Sequence, residues 1–184
     1  MKQAQVIFQD GLHKWVVIAR DPSKPNFIID TNEYLIVDGD EAILTDPGGM
    51  EIFPQVFAAI SNYFDPRNIT KLFASHQDPD IISSLGLWLE FKPELQCYVS
   101  WLWGSFIPHF GGDENTLIDI PDEGMEIPLG RLKIQAVPAH YMHSSGNFNL
   151  YDARAKLFFS GDIGAALLPP DKPGLFVENF DEHI

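Results

Sequence analysis

The residues best suited to chemistry lie in Ser75-His76-Gln77-Asp78-Pro79-Asp80, with His140 and Asp162 further along the chain. His76 and Asp78 are two positions apart, so on an extended strand end or in a tight loop their side chains can converge on one centre. Asp80 follows after Pro79, whose fixed φ stiffens the turn between the two carboxylates. The stretch comes directly after the apolar run Leu72-Phe73-Ala74. That spacing suggests a metal site at the C-terminal end of a buried strand, where open α/β sheets place their chemistry. His140 follows the run 132–137, and Asp162 follows the run 156–160, so each also comes just past a strand. Taken singly, each residue has an ordinary reading. A histidine after a strand is commonly a surface residue, and Asp78 and Asp80 could be an N-cap and a first-turn acid. Their recurrence in one structural slot favours a shared metal site. Two imidazoles and three carboxylates without a thiolate form a fairly hard ligand set. Iron or manganese suits it better than thiolate-rich zinc chemistry does, with zinc still open. Three carboxylates could neutralise much of the charge of two divalent ions, and one such as Asp162 could bridge them.

The elements that must position these residues can be read from periodicity. The runs 6–8, 15–19, 34–37 and 42–45 read as strands, the last two forming a hairpin over Asp38-Gly39-Asp40. Ile52, Val56, Phe57, Ile60 and Phe64 fall at helical spacing. The run 69–74 is the strand that delivers His76. A second helix is expected from about 80 to 91, on Ile81, Leu85, Trp88 and Leu89, followed by a strand at 96–100. The aromatic stretch 101–110 reads as a short helix. Hairpins follow at 125–137, over Gly130-Arg131, and at 147–160, over residues 152–155. Residues 163–184 look irregular. Hairpins, then strand–helix units, then hairpins imply an α/β protein of two packed sheets with helices outside.

Composition narrows the partners. The 184 residues suffice for one domain with a real core, and the formal charge is -14. So acidic a chain should repel nucleic-acid backbones and anionic membrane surfaces, so neither is expected as a partner. Cys97 is the only cysteine. An intrachain disulfide is therefore impossible, and a reducing, cytoplasmic location is expected. Cys97 lies in a strand-like run and reads as a structural thiol. No run is long enough for a signal peptide or a membrane helix.

From about Tyr34 to Asp162 the chain resembles the metallo-β-lactamase fold superfamily. Members carry His-x-[His/Glu/Asp]-x-Asp-His, a later His, and an Asp after a Ser-Gly or similar pair. Here these correspond to His76-Gln77-Asp78-Pro79-Asp80-Ile81, His140 and Gly161-Asp162. Asp78 and the segment Pro138-Ala139-His140-Tyr141-Met142-His143-Ser144-Ser145-Gly146-Asn147-Phe148 are most similar to the diiron branch. That branch comprises the flavodiiron proteins and the ODP-like oxygen-binding diiron proteins. The resemblance implies a four-layer αββα sandwich and two Fe ions, with Mn or Zn as alternatives. His76, Asp78 and His140 would hold the first metal, Asp80 would belong to the second, and Asp162 would bridge. His143 would be an outer-pocket histidine. Two departures stand out. Ile81 occupies the position of the motif's final His, and the family's late His would have to come from His183 or be missing. The expectation is therefore a single domain over residues 1–184 that lacks the fold's C-terminal strand and helix. The function implied is O2 binding by an oxygen sensor, with a pocket partly closed by Trp88, Trp101, Trp103 and Phe106. Ordinary core or a dimer interface is the competing role for those rings. Its partners would be O2 or NO, a signalling protein or an electron-donor flavoprotein, and further copies of itself. Three alternatives stay open: a thioesterase- or lactonase-type metal hydrolase, an O2/NO reductase fed by a separate flavoprotein, and a metal-poor interaction scaffold.

Overall fold

The computed structural model describes residues 2–21, 23–24, 29–165 and 176. Two β-sheets stack face to face. The larger is built from β1 (Ala4–Asp10), β2 (His13–Ile18), β3 (Glu33–Asp38), β4 (Glu41–Thr45), β5 (Ile69–Phe73), β6 (Gln96–Ser100) and β7 (Leu117–Ile120), in that order across the sheet. Neighbours are antiparallel from β1 to β4 and parallel from β4 to β7. The smaller sheet is antiparallel and contains β8 (Met125–Leu129), β9 (Leu132–Pro138), β10 (Phe148–Asp152) and β11 (Leu157–Phe159), ordered β11-β10-β9-β8.

The sequence explains which sheet is central. Strands β3, β4 and β5 are almost continuously apolar and buried, as strands covered on both faces must be. Successive side chains point to opposite faces. Leu35, Leu44 and Leu72 join Val56, Ile60, Leu85 and Trp88 in a core beneath the helices, whereas Ile36, Ile43 and Phe73 join Ile127, Ile134, Phe148 and Leu150 between the sheets. Strands β8 and β9 alternate buried and exposed residues, so their outer face is uncovered among the described residues. The helices are α1 (Phe53–Ser61), α2 (Pro79–Ile82) and α3 (Leu85–Phe91). Of the four expected layers, the described residues supply three: helices, large sheet and small sheet. Residues 166–175 and 177–184, including His183, lie outside the described part.

Several elements differ from the sequence reading. The helix expected over 80–91 is two helices, because the chain turns at Ser83 and Ser84, where the Ser84 amide donates to the Gly48 carbonyl and its hydroxyl to the Pro47 carbonyl. The stretch 101–110 forms two separate 3-10 turns, and β7 carries too little periodicity to announce itself. Trp88 is fully buried against Phe53 and Phe57, under the helices.

A buried latch joins the two sheets. His13 Nε2 on β2 lies 2.7 Å from Asp152 Oδ2 on β10, Trp15 Nε1 donates to the same oxygen at 2.6 Å, and His13 Nδ1 lies 2.8 Å from the Val37 carbonyl oxygen. Both imidazole nitrogens therefore face acceptors, an arrangement that only the imidazolium satisfies fully. Burial pulls the His13 pKa down, but Asp152, the Val37 carbonyl and Asp38 together outweigh it, and the net shift is upward. For Asp152, burial pushes upward, yet hydrogen bonds from His13 and Trp15 bring the pKa to about 2.

Candidate metal centre

The parallel strands β4 and β5 end side by side at one rim of the large sheet. Past β4, Asp46 turns inward with φ 41°, and past β5 come Ser75 and His76. The small sheet closes over this rim: the Phe148 amide on β10 donates to the Ser75 carbonyl at 2.9 Å. Asp78 sits at the N-cap of α2 but makes no side-chain capping bond, and Asp80 lies in the helix's first turn. Both acids thus hold the helix-start positions that one sequence reading allowed, but the Asp78 side chain does not cap: Oδ1 accepts from Gln77 Nε2 at 3.0 Å and Oδ2 faces His76. Asp162 arrives from the turn after β11. Its neighbour Gly161 has φ +53°, and a Cβ there would lie 2.9 Å from Ser75 Oγ, so only glycine allows this close passage.

His76 Nε2 lies 3.4 Å from Asp78 Oδ2 and 3.7 Å from Asp162 Oδ2. His143 Nε2 lies 3.8 Å from Asp78 Oδ2 and 3.6 Å from Asp162 Oδ2. Ligand atoms of His76, Asp78 and His143 all fall within 4.8 Å of one another. An ion at about 2.0–2.2 Å from each donor spaces its ligands roughly 3–3.6 Å apart, so little closure is needed. Within the described residues, His76 Nε2 is buried with no hydrogen-bond partner, which is costly unless a cation uses its lone pair. The residues present thus fit a metal. Asp80 lines the same cavity, of about 1100 Å³, together with Asp46, Asp78, His143 and Asp162. Burial raises the Asp80 pKa, and the carboxylates of Asp162 and Asp78 raise it further. Burial lowers the His76 pKa despite the carboxylates beside it. The Asp80 shift comes from burial and the neighbouring acids, a penalty that a bound cation would offset, whereas the His76 shift comes from burial and favours the neutral imidazole that a metal requires.

His140 does not join this group. Its Nε2 lies 2.9 Å from the Asp122 carbonyl oxygen, and its ring packs edge-on against Phe148 at 5.1 Å. The cause is a turn after β9. Tyr141 adopts φ 63°, its amide donates to the Ser144 carbonyl, and the reversed chain brings His143 to the acids. The His76 and His143 ring centroids are 4.6 Å apart. By placement, His143 rather than the expected His140 stands with His76, Asp78 and Asp162. The sequence held both candidates, and only the left-handed turn distinguishes them. The expected aromatic closure also changes. Trp88 is core, Trp101 and Phe106 are exposed, and Trp103 donates to the Ser145 carbonyl at 2.9 Å. The rings that line the cavity are Trp15, Tyr34, Phe158, Phe159 and Phe176.

Sequence reasoning missed what lies behind His76. Ser75 Oγ is 2.9 Å from His76 Nδ1 and 2.7 Å from Asp46 Oδ2, and the Ser75 amide donates to Asp46 Oδ1 at 2.7 Å. Burial pushes the Asp46 carboxyl up to about 8. The two Ser75 hydrogen bonds oppose that rise, and the charges of Asp162 and Glu33 add to it.

Residues 29–184 match the model of a family described as ODP family beta lactamase. The chain belongs to the ODP family. Among solved structures, one of the peroxy diiron species of the chemotaxis sensor ODP shares 39% identity, covers 98% of this chain and 71% of its own, and superposes with a TM-score of 0.83. The apo state of the chemotaxis sensor ODP from T. denticola, also 39% identical, covers 97% of this chain and 70% of its own at a TM-score of 0.84. A flavoprotein from Thermotoga maritima, 20% identical, covers 99% of this chain and 46% of its own at 0.76, a likeness of fold. The fold is therefore metallo-β-lactamase-like, as the sequence resemblance implied. A comparison with curated proteins returns no match. Among the described residues, no helix is long and apolar enough to cross a membrane.

Proposed function

We propose that this ODP-family chain is a non-haem diiron protein that binds O2 and acts as an oxygen sensor. The observation that carries the reading is the convergence of Asp78, Asp80, His143 and Asp162 on one cavity, with the buried, unpartnered Nε2 of His76 within 4 Å of Asp78 and Asp162. The relative at 39% identity, whose structure is of a peroxy diiron species of a chemotaxis sensor, supports it.

His76, Asp78 and His143 would hold one iron. Asp162, close to both histidines, would be shared with a second iron to which Asp80 belongs. The irons, when bound, supply the electrons and the redox chemistry that recognition of O2 requires. The residues do the rest. Asp78, Asp80 and Asp162 balance the cations' charge, and the imidazoles add neutral, strong-field donors. Trp15, Tyr34 and Phe159 wall the cavity beside the acids, which limits water near the ligands. The listener would be a signalling protein, with a flavoprotein donor and self-association as further partners and the cytoplasm as the location.

The test is anaerobic loading with ferrous iron, an iron count, then admission of O2 with the visible spectrum followed in time. A long-lived absorption change at about two irons per chain is expected. Absence of tight iron binding, or O2 consumed catalytically on addition of a reduced flavoprotein, would overturn the sensor reading.

A further inference from the structure

Five large apolar side chains stand exposed on two neighbouring loops beside the metal centre: Trp101, Leu102 and Phe106 after β6, and Tyr141 and Met142 after β9. The loops are knit into one face. Trp103 Nε1 donates to the Ser145 carbonyl at 2.9 Å, and its ring packs edge-on against Phe106 at 5.5 Å. A Cβ at Gly146 would come within 3.2 Å of the Leu102 side chain. Trp101 Nε1 donates to Asp122 Oδ1 at 2.6 Å, and the Asp122 carbonyl oxygen lies 2.9 Å from His140 Nε2, where the second loop begins. Soluble proteins rarely group exposed rings and methionine in this way, and those residue types are the ones enriched where proteins meet. Tyr141 sharpens the point. It is 83% exposed yet holds φ 63°, a costly conformation for a tyrosine that so exposed a side chain does little to offset.

Charge indicates what covers the face. Residues 93–130 contain seven acids and no lysine or arginine, and residues 134–153 contain no lysine or arginine either. Asp119, Asp122 and Glu123 are exposed, Asp122 bonded to Trp101 and Asp119 flanking Gly104. A second copy would bring the same acids against themselves, and a lipid surface or nucleic acid would bring phosphates against them. We propose that the face formed by residues 101–106 and 140–146 docks a basic amphipathic segment of another protein. The segment's apolar side packs on the exposed rings, and its lysines or arginines meet Asp119, Asp122 and Glu123. The inference rests on the sensor reading for the purpose of docking, but not for docking itself. The second loop also carries His143. Within it, Ser144 Oγ donates to Gln77 Oε1 at 2.9 Å, and Gln77 Nε2 donates to Asp78 Oδ1 at 3.0 Å, so side-chain hydrogen bonds join the face to the metal centre.

Three fluorescent helical peptides of equal length test this on metal-free protein, by anisotropy at about 0.15 M NaCl. One carries lysine on its polar face and leucine on the other, the second exchanges lysine for glutamate, and the third exchanges leucine for serine. The lysine–leucine peptide should bind about tenfold more tightly than either control, and the Trp101→Ser, Phe106→Ser double variant should lose about that factor. Tyr141→Asn with Met142→Ser should do the same from the other loop, since asparagine tolerates the left-handed turn. Glu123→Lys should weaken binding more than Asp40→Lys, which makes the same change in net charge at the opposite rim, in the turn before β4. Equal binding of the three peptides or none, tighter binding of the glutamate peptide, undiminished affinity in both double variants, or equal loss in the two lysine variants overturns the proposal. So does a dimer, seen by sedimentation velocity, that dissociates in the Trp101→Ser, Phe106→Ser variant, because a second copy would then cover the face. No iron or O2 enters these measurements, so failure of the sensor reading would appear separately, as a protein that docks the peptide and ignores O2.

Discussion

Replacing His143 with alanine should abolish tight metal binding, whereas replacing His140 should leave it almost intact. His143 Nε2 is 3.8 Å from Asp78 and 3.6 Å from Asp162, so an ion between these carboxylates and His76 takes this imidazole as a ligand. A complete four-ligand zinc site contributes about 10–16 kcal/mol, or roughly 2.5–4 kcal/mol per ligand. At about 1.4 kcal/mol per decade, losing one ligand weakens binding by roughly two to three orders of magnitude. His140 is a different case. It contributes one hydrogen bond to the Asp122 carbonyl and an edge contact to Phe148. Its removal should cost about 1 kcal/mol of folding stability and less than a fewfold change in affinity. The assay is anaerobic Fe2+ titration of each purified variant with a competing chelator, alongside urea denaturation. A His140→Ala protein that loses metal while His143→Ala retains it would refute the assignment drawn from the turn at Tyr141.

His13→Ala should destabilise the protein by about 3 kcal/mol, the low end for breaking a buried ion pair, because Trp15 and two backbone amides still donate to Asp152. The pH profile of unfolding reads the same latch. The raised His13 pKa means its contribution is complete below the unfolded value near 6.5 and is lost as pH rises through the folded value. The lowered Asp152 pKa means its contribution is present above the unfolded value near 3.8 and is lost as pH falls through about 2. The latch should therefore be strongest from about pH 4 to 6.5, and His13→Ala should flatten the fall on the alkaline side. Gly161→Ala should lower stability by about 1–2 kcal/mol through its left-handed φ and push on Ser75, weakening metal binding, as chelator competition would report. Cys97, fully buried with its thiol pushed up to about 12 by burial and the nearby Asp46 charge, should resist thiol reagents until the protein is unfolded.

Much of this protein is written locally. Near-continuous apolar runs make β3, β4 and β5 interior strands, whose leucines and isoleucines divide by parity between two cores. The types and strand-end positions of His76, Asp78, Asp80 and Asp162 pointed to a metal cavity, because a residue just past a buried strand must emerge at the sheet's rim. Other features were not legible locally. The pairing of β6 with β7 is one, since Leu117-Ile118-Asp119-Ile120 is too short to show a period. The break between α2 and α3 is another, because its cause is a carbonyl at Gly48, far away in sequence. The choice between His140 and His143 turned on one backbone angle at Tyr141, a residue type with no preference for that conformation. Asp46 looked like nothing more than the acid that ends a strand. Only the parallel stacking of β4 against β5 carries it to Ser75, 29 residues on, and so to the back of the histidine. Sequence determined which groups could bind a metal, because chemistry belongs to side chains. Tertiary structure decided which of them meet and which atom each presents, because convergence depends on strand pairing and turn angles between residues far apart in the chain.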